Sequence, residues 1–136
     1  MKFLRKMNES FDRSIALTHL GFLKDIFSGI EDETGIDLEI LFYSPLEKVS
    51  SYQKGTNYQT IDVNGESSSF YSTVYHEFGY FSIGNYSKMI IKSELKNEFD
   101  DCIERINSFF NYKANIASEL DDGYLSVIIS LEEPFV

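Results

Sequence analysis

The segment from Glu94 to about Tyr112 carries the clearest helical periodicity in the chain. Its apolar residues recur every three or four positions, and charged residues occupy the opposite side. This spacing predicts an amphipathic helix with one face in the protein core. The predicted buried stripe comprises Leu95, Phe99, Cys102, Ile103, Ile106, Phe109 and Phe110.

A second helix is predicted near the N-terminus, between about Glu9 and Ser28. Apolar residues again recur at three- and four-residue steps, which places them on one helical face. Gly29 follows as a predicted helix stop. The predicted apolar face comprises Phe11, Ile15, Ala16, Leu20, Leu23, Ile26, Phe27 and Ile30.

The middle of the chain has the features of an antiparallel meander. The segment "IDLEILFY" predicts a strand that ends at Ser44-Pro45. Asn64-Gly65 lies between two runs rich in β-forming residues, which is a strong hairpin signal. Gly84-Asn85 separates "YFSI" from "YSKMIIK", so a second tight turn is expected there.

The last strand is "YLSVIISLE", which follows Asp122-Gly123. It is apolar on nearly both faces, so it is predicted to lie inside the sheet. The predicted fold class is α+β, with an antiparallel sheet of about five strands, two main helices and the order α-β-β-β-β-α-β. Residues 1–136 are expected to form one globular domain, which suits a chain of this length.

The stretch "FYSTVYHEFGYFSIGNY", residues 70–86, is unusually rich in aromatic residues. Aromatic and β-branched residues favour strands, so we interpret most of it as sheet core, with a bulge or bend at Gly79. The alternative is a partly exposed aromatic patch that binds a partner, because tyrosine is enriched at protein interfaces. That candidate patch comprises Tyr71, Tyr75, His76 and Tyr80.

The sequence contains no recognisable catalytic, metal or cofactor motif. "HEFGY" begins like a zinc-protease helix motif, but Tyr80 stands where the second histidine is required. Cys102 falls on the buried stripe, where a thiol has a raised pKa and is unreactive. We therefore expect no catalytic residues, no metal, no cofactor and no enzymatic activity.

The formal net charge is −10, and it is concentrated in the C-terminal part. From Glu94 onward, ten acidic residues face three basic ones, a local net charge of −7. Such a surface disfavours nucleic acid and attracts a basic protein. The predicted partner-binding residues lie on the polar side of the helix and in a loop expected after it: Asp100, Asp101, Glu104, Glu119, Asp121 and Asp122.

These features suit a small acidic inhibitor that binds a basic protein. Our leading hypothesis is an immunity protein that neutralises a bacterial toxin of the nuclease type, and a phage-encoded inhibitor of a host nuclease has the same profile. The alternatives are a small-molecule or regulatory binding module with an aromatic-lined pocket, and a small enzyme. A single cysteine and the absence of a long apolar run predict a cytoplasmic protein that binds no membrane. The sequence leaves the oligomeric state open.

Overall fold

The computed structural model describes residues 13–46, 55–85, 92–121 and 123–133. Within them it contains two helices and six strands. In chain order these are α1 (Arg13–Thr34), β1 (Glu39–Pro45), β2 (Thr56–Asp62), β3 (Ser67–Ser72), β4 (Tyr80–Asn85), α2 (Lys92–Phe110), β5 (Ala114–Asp121) and β6 (Tyr124–Leu131).

The strands form one antiparallel sheet in the order β3-β2-β1-β4-β6-β5. The predicted α+β class is confirmed, with six strands rather than about five. The additional strand is β5, which occupies a segment predicted to be loop and pairs with β6 along its whole length. The sequence "ANIASELD" has too few large apolar residues to show a strand pattern by itself. As predicted, β6 lies inside the sheet, between β4 and β5.

Both helices pack on the same face of the sheet. α1 lies over β1 and β2, and α2 lies beside α1 and over β5. The core between the layers is formed by alternate residues of the strands together with the apolar faces of both helices. Neither helix in the described part of the chain is long and apolar enough to cross a membrane.

The apolar stripe of α2 is buried largely as predicted. Ile103 is only partly buried, and Phe109 remains 43% exposed. After Phe110 the backbone of Asn111 and Tyr112 has positive φ, at 46° and 71°, and this left-handed turn ends the helix. The stripe residues that are buried are Leu95, Phe99, Cys102, Ile106 and Phe110.

The predicted stop of the first helix at Gly29 is wrong, because α1 continues to Thr34. A glycine inside a helix costs only about 1 kcal/mol relative to alanine, and burial of Ile30 beyond it favours continuation. The helix ends instead at Gly35, which has φ of 69° and donates its N–H to the Glu31 carbonyl at 2.8 Å. The predicted helix start at Glu9 and the residue Phe11 lie outside the described residues.

The predicted hairpin at Asn64-Gly65 is confirmed between β2 and β3. Gly65 has φ of 82° and donates its N–H to the Asp62 carbonyl at 3.0 Å. The Asp62 carboxylate accepts the N–H groups of Asn64 and Glu66, each at 2.9 Å. This is a turn that needs a left-handed residue at its end, and glycine supplies it without steric cost.

Two other sequence predictions are corrected. Gly84-Asn85 does not form a turn, because both residues lie within β4 and Gly84 pairs with Glu39 and Ser126. The expected strand "YSKMIIK" lies almost wholly outside the described residues. The aromatic stretch is also not continuous sheet, because β3 ends at Ser72 and a loop over residues 73–79 connects it to β4.

Candidate partner-binding surface

A shallow groove of about 450 Å³ lies at the solvent-exposed junction of α1 and α2. It is positioned by the antiparallel packing of the two helices. Phe22 of α1 contacts Phe109 near the end of α2. The Cys102 thiol, about two turns earlier in α2, donates to the Ile26 carbonyl at 3.4 Å. The groove is lined by Phe22, Asp101, Glu104, Arg105, Ser108 and Phe109.

The floor of the groove is aromatic. The rings of Phe22 and Phe109 lie 4.3 Å apart between centroids, at 30° to each other. His19 meets Phe109 edge to face at 5.1 Å. Phe110 lies in the core, whereas Phe109 is largely exposed. The two side chains are one position apart, which corresponds to a rotation of about 100° around the helix. An apolar surface therefore remains accessible between the helices.

His19 lies behind this floor, among aromatic rings. Its ring is 6.3 Å from Phe81 and 6.1 Å from Phe110, between centroids. Burial in these surroundings lowers the pKa of His19, because the imidazolium form loses hydration there. The neutral imidazole adds no positive charge beside the groove at neutral pH.

The rim of the groove carries carboxylates from the predicted binding residues. Asp101 and Glu104 are exposed on α2 and line the groove. Asp100 is exposed on the same helix and accepts a salt bridge from Lys96 at 2.7 Å. Arg105 also lines the groove and supplies one positive charge. The structure thus brings together the three predicted acidic residues of α2.

A second acidic pair, Glu33 and Glu98, lies further along the contact between α1 and α2. Partial desolvation and the negative charge of Glu33 raise the pKa of Glu98, whose carboxyl also shares a hydrogen bond with Glu33. Glu33 comes from the end of α1 and Glu98 from the first half of α2. Like charges held this close favour proton uptake or the approach of a cation.

The remaining predicted acidic residues do not join this surface. Glu119 and Asp121 lie in β5 rather than in a loop. Their register partners, Ser126 and Tyr124, alternate with the core residues of β6, so both side chains are on the sheet face opposite the helices. The expected single acidic surface is therefore two surfaces. Asp122 lies outside the described residues.

The sheet face opposite the helices carries its own aromatic cluster. Tyr43 and Tyr80 stack at 4.4 Å with parallel rings. Tyr58 meets Tyr80 edge to face at 5.5 Å, and Phe70 meets Tyr43 at 5.4 Å. The register places these residues side by side on four neighbouring strands. Burial raises the pKa values of Tyr43, Tyr58 and Tyr80, so all three phenols stay protonated at physiological pH.

The Tyr58 hydroxyl group bonds the loop over residues 73–79 to this cluster. Tyr58 is fully buried, and its hydroxyl donates to the Val74 carbonyl at 2.9 Å. The same oxygen accepts the N–H of His76 at 2.9 Å. The His76 ring lies 4.6 Å from Tyr80, and burial lowers the pKa of His76. The loop therefore covers part of the sheet face.

The aromatic patch predicted from the sequence is divided by this arrangement. Tyr80 is buried and His76 is half-buried, both within the cluster. Tyr71 and Tyr75 are exposed at 59% and 38%. Tyr71 is on the sheet face that the helices cover. Its partner in β2 is Asn57, and Asn57 and Tyr58 lie on opposite faces of the sheet. The four residues do not form one surface.

The two remaining candidates for chemistry are the Cys102 thiol and a metal site. Cys102 is buried, and desolvation raises its pKa to about 11, so the thiolate nucleophile is not formed at neutral pH. No cluster of three or more metal-binding side chains occurs within residues 13–46, 55–85, 92–121 and 123–133.

Sequence reasoning missed the groove because it assigned Phe109 to the core and did not single out Phe22. Neighbouring residues are about 100° apart around a helix and can both be buried, as Ile26 and Phe27 are in α1. The adjacency of Phe109 and Phe110 therefore gave no local signal that one of the two rings is exposed. Phe22 lies off the predicted apolar face of α1, and only the packing of α2 against it places it in the groove.

Comparisons with protein-family models, with curated proteins and with solved structures found no match to this chain.

Proposed function

We propose that this protein is a small acidic inhibitor that binds a basic protein through the groove between α1 and α2. The observation that carries the proposal is an aromatic floor beneath exposed carboxylates. Phe22 and Phe109 form the floor, and Asp101 and Glu104 lie on the rim. This combination suits a lysine or arginine side chain from a partner.

The chemistry of such a contact follows from the side chains present. The aliphatic stem of lysine or arginine packs on apolar surface while its charged end reaches carboxylates. Phe109 offers a ring face for a cation, and Asp101 and Glu104 accept charge-assisted hydrogen bonds. Arg105 repels an incoming cation, so the bound group is directed towards the two carboxylates.

The surrounding charge favours the same class of partner. The net charge of −10 attracts basic proteins over long range, which raises association rates. Nuclease active sites that bind phosphate backbones are rich in lysine and arginine, so a nuclease-type toxin is the partner class we favour. The protein would then act as an immunity protein in the cytoplasm, where its single cysteine stays reduced.

The test is a comparison of two charge reversals with the partner captured from the native host. Asp101→Lys places the reversal at the groove, and Glu119→Lys makes the same change on the opposite sheet face. We expect Asp101→Lys to slow association several-fold at low salt, with a smaller effect of Glu119→Lys. Both effects should shrink at physiological salt, where the screening length is about 8 Å.

Phe109→Ala separates the aromatic floor from the charges. Removing the exposed ring should speed dissociation and leave the association rate close to that of the wild type. Equal slowing by Asp101→Lys and Glu119→Lys would show that net charge alone drives encounter, and the groove would then be the wrong site. An acidic captured partner would refute the proposed partner class.

A further inference from the structure

The hydrogen bonds between β2 and β3 determine which backbone groups of β3 point away from β2. Asp62 donates its N–H to the Glu66 carbonyl at 3.0 Å, and the Asn57 carbonyl accepts the Leu46 N–H at 2.9 Å. Bonding alternates along an antiparallel pair, so the even-numbered residues of β3 bond to β2. The backbone groups of the odd-numbered residues are therefore directed away from β2. These residues are Ser67, Ser69 and Tyr71.

No strand lies beyond β3 within the described residues. Every residue of the strand is exposed or half-buried, and the loop that follows it turns over the sheet face towards Tyr58. Phe70 is 45% exposed and Val74 is 53% exposed, so apolar side chains flank the open backbone groups. An edge of this kind is a template for pairing with another strand.

The distribution of charged side chains favours one kind of strand as the partner of β3. Residues 67–76, "SSSFYSTVYH", contain no lysine, arginine, aspartate or glutamate. Natural edge strands are commonly protected by charges, and the other edge, β5, carries Glu119 and Asp121. β3 carries no acidic side chain of its own, so it offers no attraction to a basic strand. It does allow two copies of this acidic chain to approach without like charges meeting.

We propose that β3 is a self-association surface, on which a second copy of this chain adds its own β3 in antiparallel register about a two-fold axis at Ser69. In that register Ser69 lies opposite Ser69 of the second copy, and Ser67 lies opposite Tyr71. The outward-directed residues of the two copies then bond to one another. A two-fold axis at any other residue of the strand would not pair all three of them.

The same register also covers apolar surface. Phe70 comes to lie beside Ser68 of the second copy on the sheet face opposite the helices. Tyr71 comes to lie beside Ser67 of the second copy on the helix side, where Arg13 approaches the Ser67 hydroxyl at 3.4 Å. The dimer is an extended antiparallel sheet of two subunits. This inference goes beyond the proposed function and does not depend on any partner protein.

Charge reversal at the two-fold axis gives a specific test on the purified chain. Ser69→Lys and Ser69→Glu should each weaken dimerisation by roughly tenfold or more, because like charges then face each other across the axis. An equimolar mixture should restore a dimer of one copy of each variant. Ser69→Lys lowers the net negative charge, so a general effect of charge would instead strengthen self-association.

The measurement is sedimentation velocity over a range of concentrations, with a monomer mass of 15.7 kDa. Ser118→Lys on the opposite edge is the matched control, since Ser118 is exposed and its backbone is directed away from β6. It should leave dimerisation at least as strong as in the wild type. Raising salt should strengthen the dimer, because it screens repulsion between the acidic subunits.

Three outcomes would overturn the inference. A wild type that remains monomeric at all concentrations refutes self-association. A dimer unaffected by either Ser69 variant places the interface elsewhere. Variants that stay monomeric when mixed, while each retains the wild-type circular dichroism spectrum, refute the two-fold register at Ser69.

Discussion

Removing one oxygen atom from Tyr58 tests whether the loop over residues 73–79 is held to the sheet by its hydroxyl group. In Tyr58→Phe the ring still packs among Tyr43 and Tyr80, but the hydroxyl bonds to Val74 and His76 are lost. A neutral hydrogen bond contributes about 0.5–1.5 kcal/mol, so two bonds correspond to about 1–3 kcal/mol of unfolding free energy.

The lower half of that range is expected, because Val74 and Tyr75 are exposed and water can reach the loop. We therefore expect a loss of about 1–2 kcal/mol, which corresponds to a fall in Tm of roughly 3–8 °C for a domain of this size. Urea unfolding followed by circular dichroism measures the free energy. Limited proteolysis should also show faster cleavage between β3 and β4.

Tyr112→Phe is the control, since that side chain is 95% exposed and its hydroxyl contributes no buried contact. It should change the unfolding free energy by less than about 0.5 kcal/mol. A Tyr58→Phe variant as stable as Tyr112→Phe, with unchanged loop cleavage, would refute the reasoning that this hydroxyl fastens the loop.

The helix stripe and the buried histidine give two further predictions. Phe99→Ala should cost about 2–5 kcal/mol of unfolding free energy, whereas Asp101→Ala should cost almost none, and equal urea midpoints would contradict the assigned stripe. The folded-state pKa of His19 lies below its unfolded value of 6.5, so its contribution to stability is complete above pH 6.5 and is lost as pH falls below it. His19→Gln should therefore lose less stability than the wild type between pH 7.5 and 5.5 in urea titrations, and parallel curves would contradict this assignment.

The two proposed surfaces are compatible in space. The groove lies on the helix layer, and α2 packs over β5 at the opposite end of the sheet from β3. A dimer through β3 would leave both grooves open. Salt should act with opposite sign on the two interactions, because it screens attraction to a basic partner and repulsion between acidic copies.

Local sequence patterns were sufficient to predict the elements whose structure depends mainly on their own residues. The stripe of α2, the Asn64-Gly65 turn and the apolar β6 each contain their signal within a few residues. Helical periodicity, a left-handed turn residue and apolarity on both faces act through local geometry and burial. The sequence alone therefore determined both helices, the hairpin of β2 and β3 and the α+β class. The predicted antiparallel meander holds only for β1, β2 and β3, because β4 pairs with β1 rather than with β3.

Tertiary structure decided the features that depend on pairing between distant residues. β5 is a strand because β6 supplies its hydrogen-bond partners, and this pairing moves Glu119 to the sheet face opposite the helices. Phe22 and Phe109 form a groove only because α1 and α2 pack antiparallel. The loop after Ser72 leaves the sheet because the Tyr58 hydroxyl binds it from another strand. Strand propensity depends on such cross-strand neighbours more than on the residues themselves, so no local pattern could assign these positions.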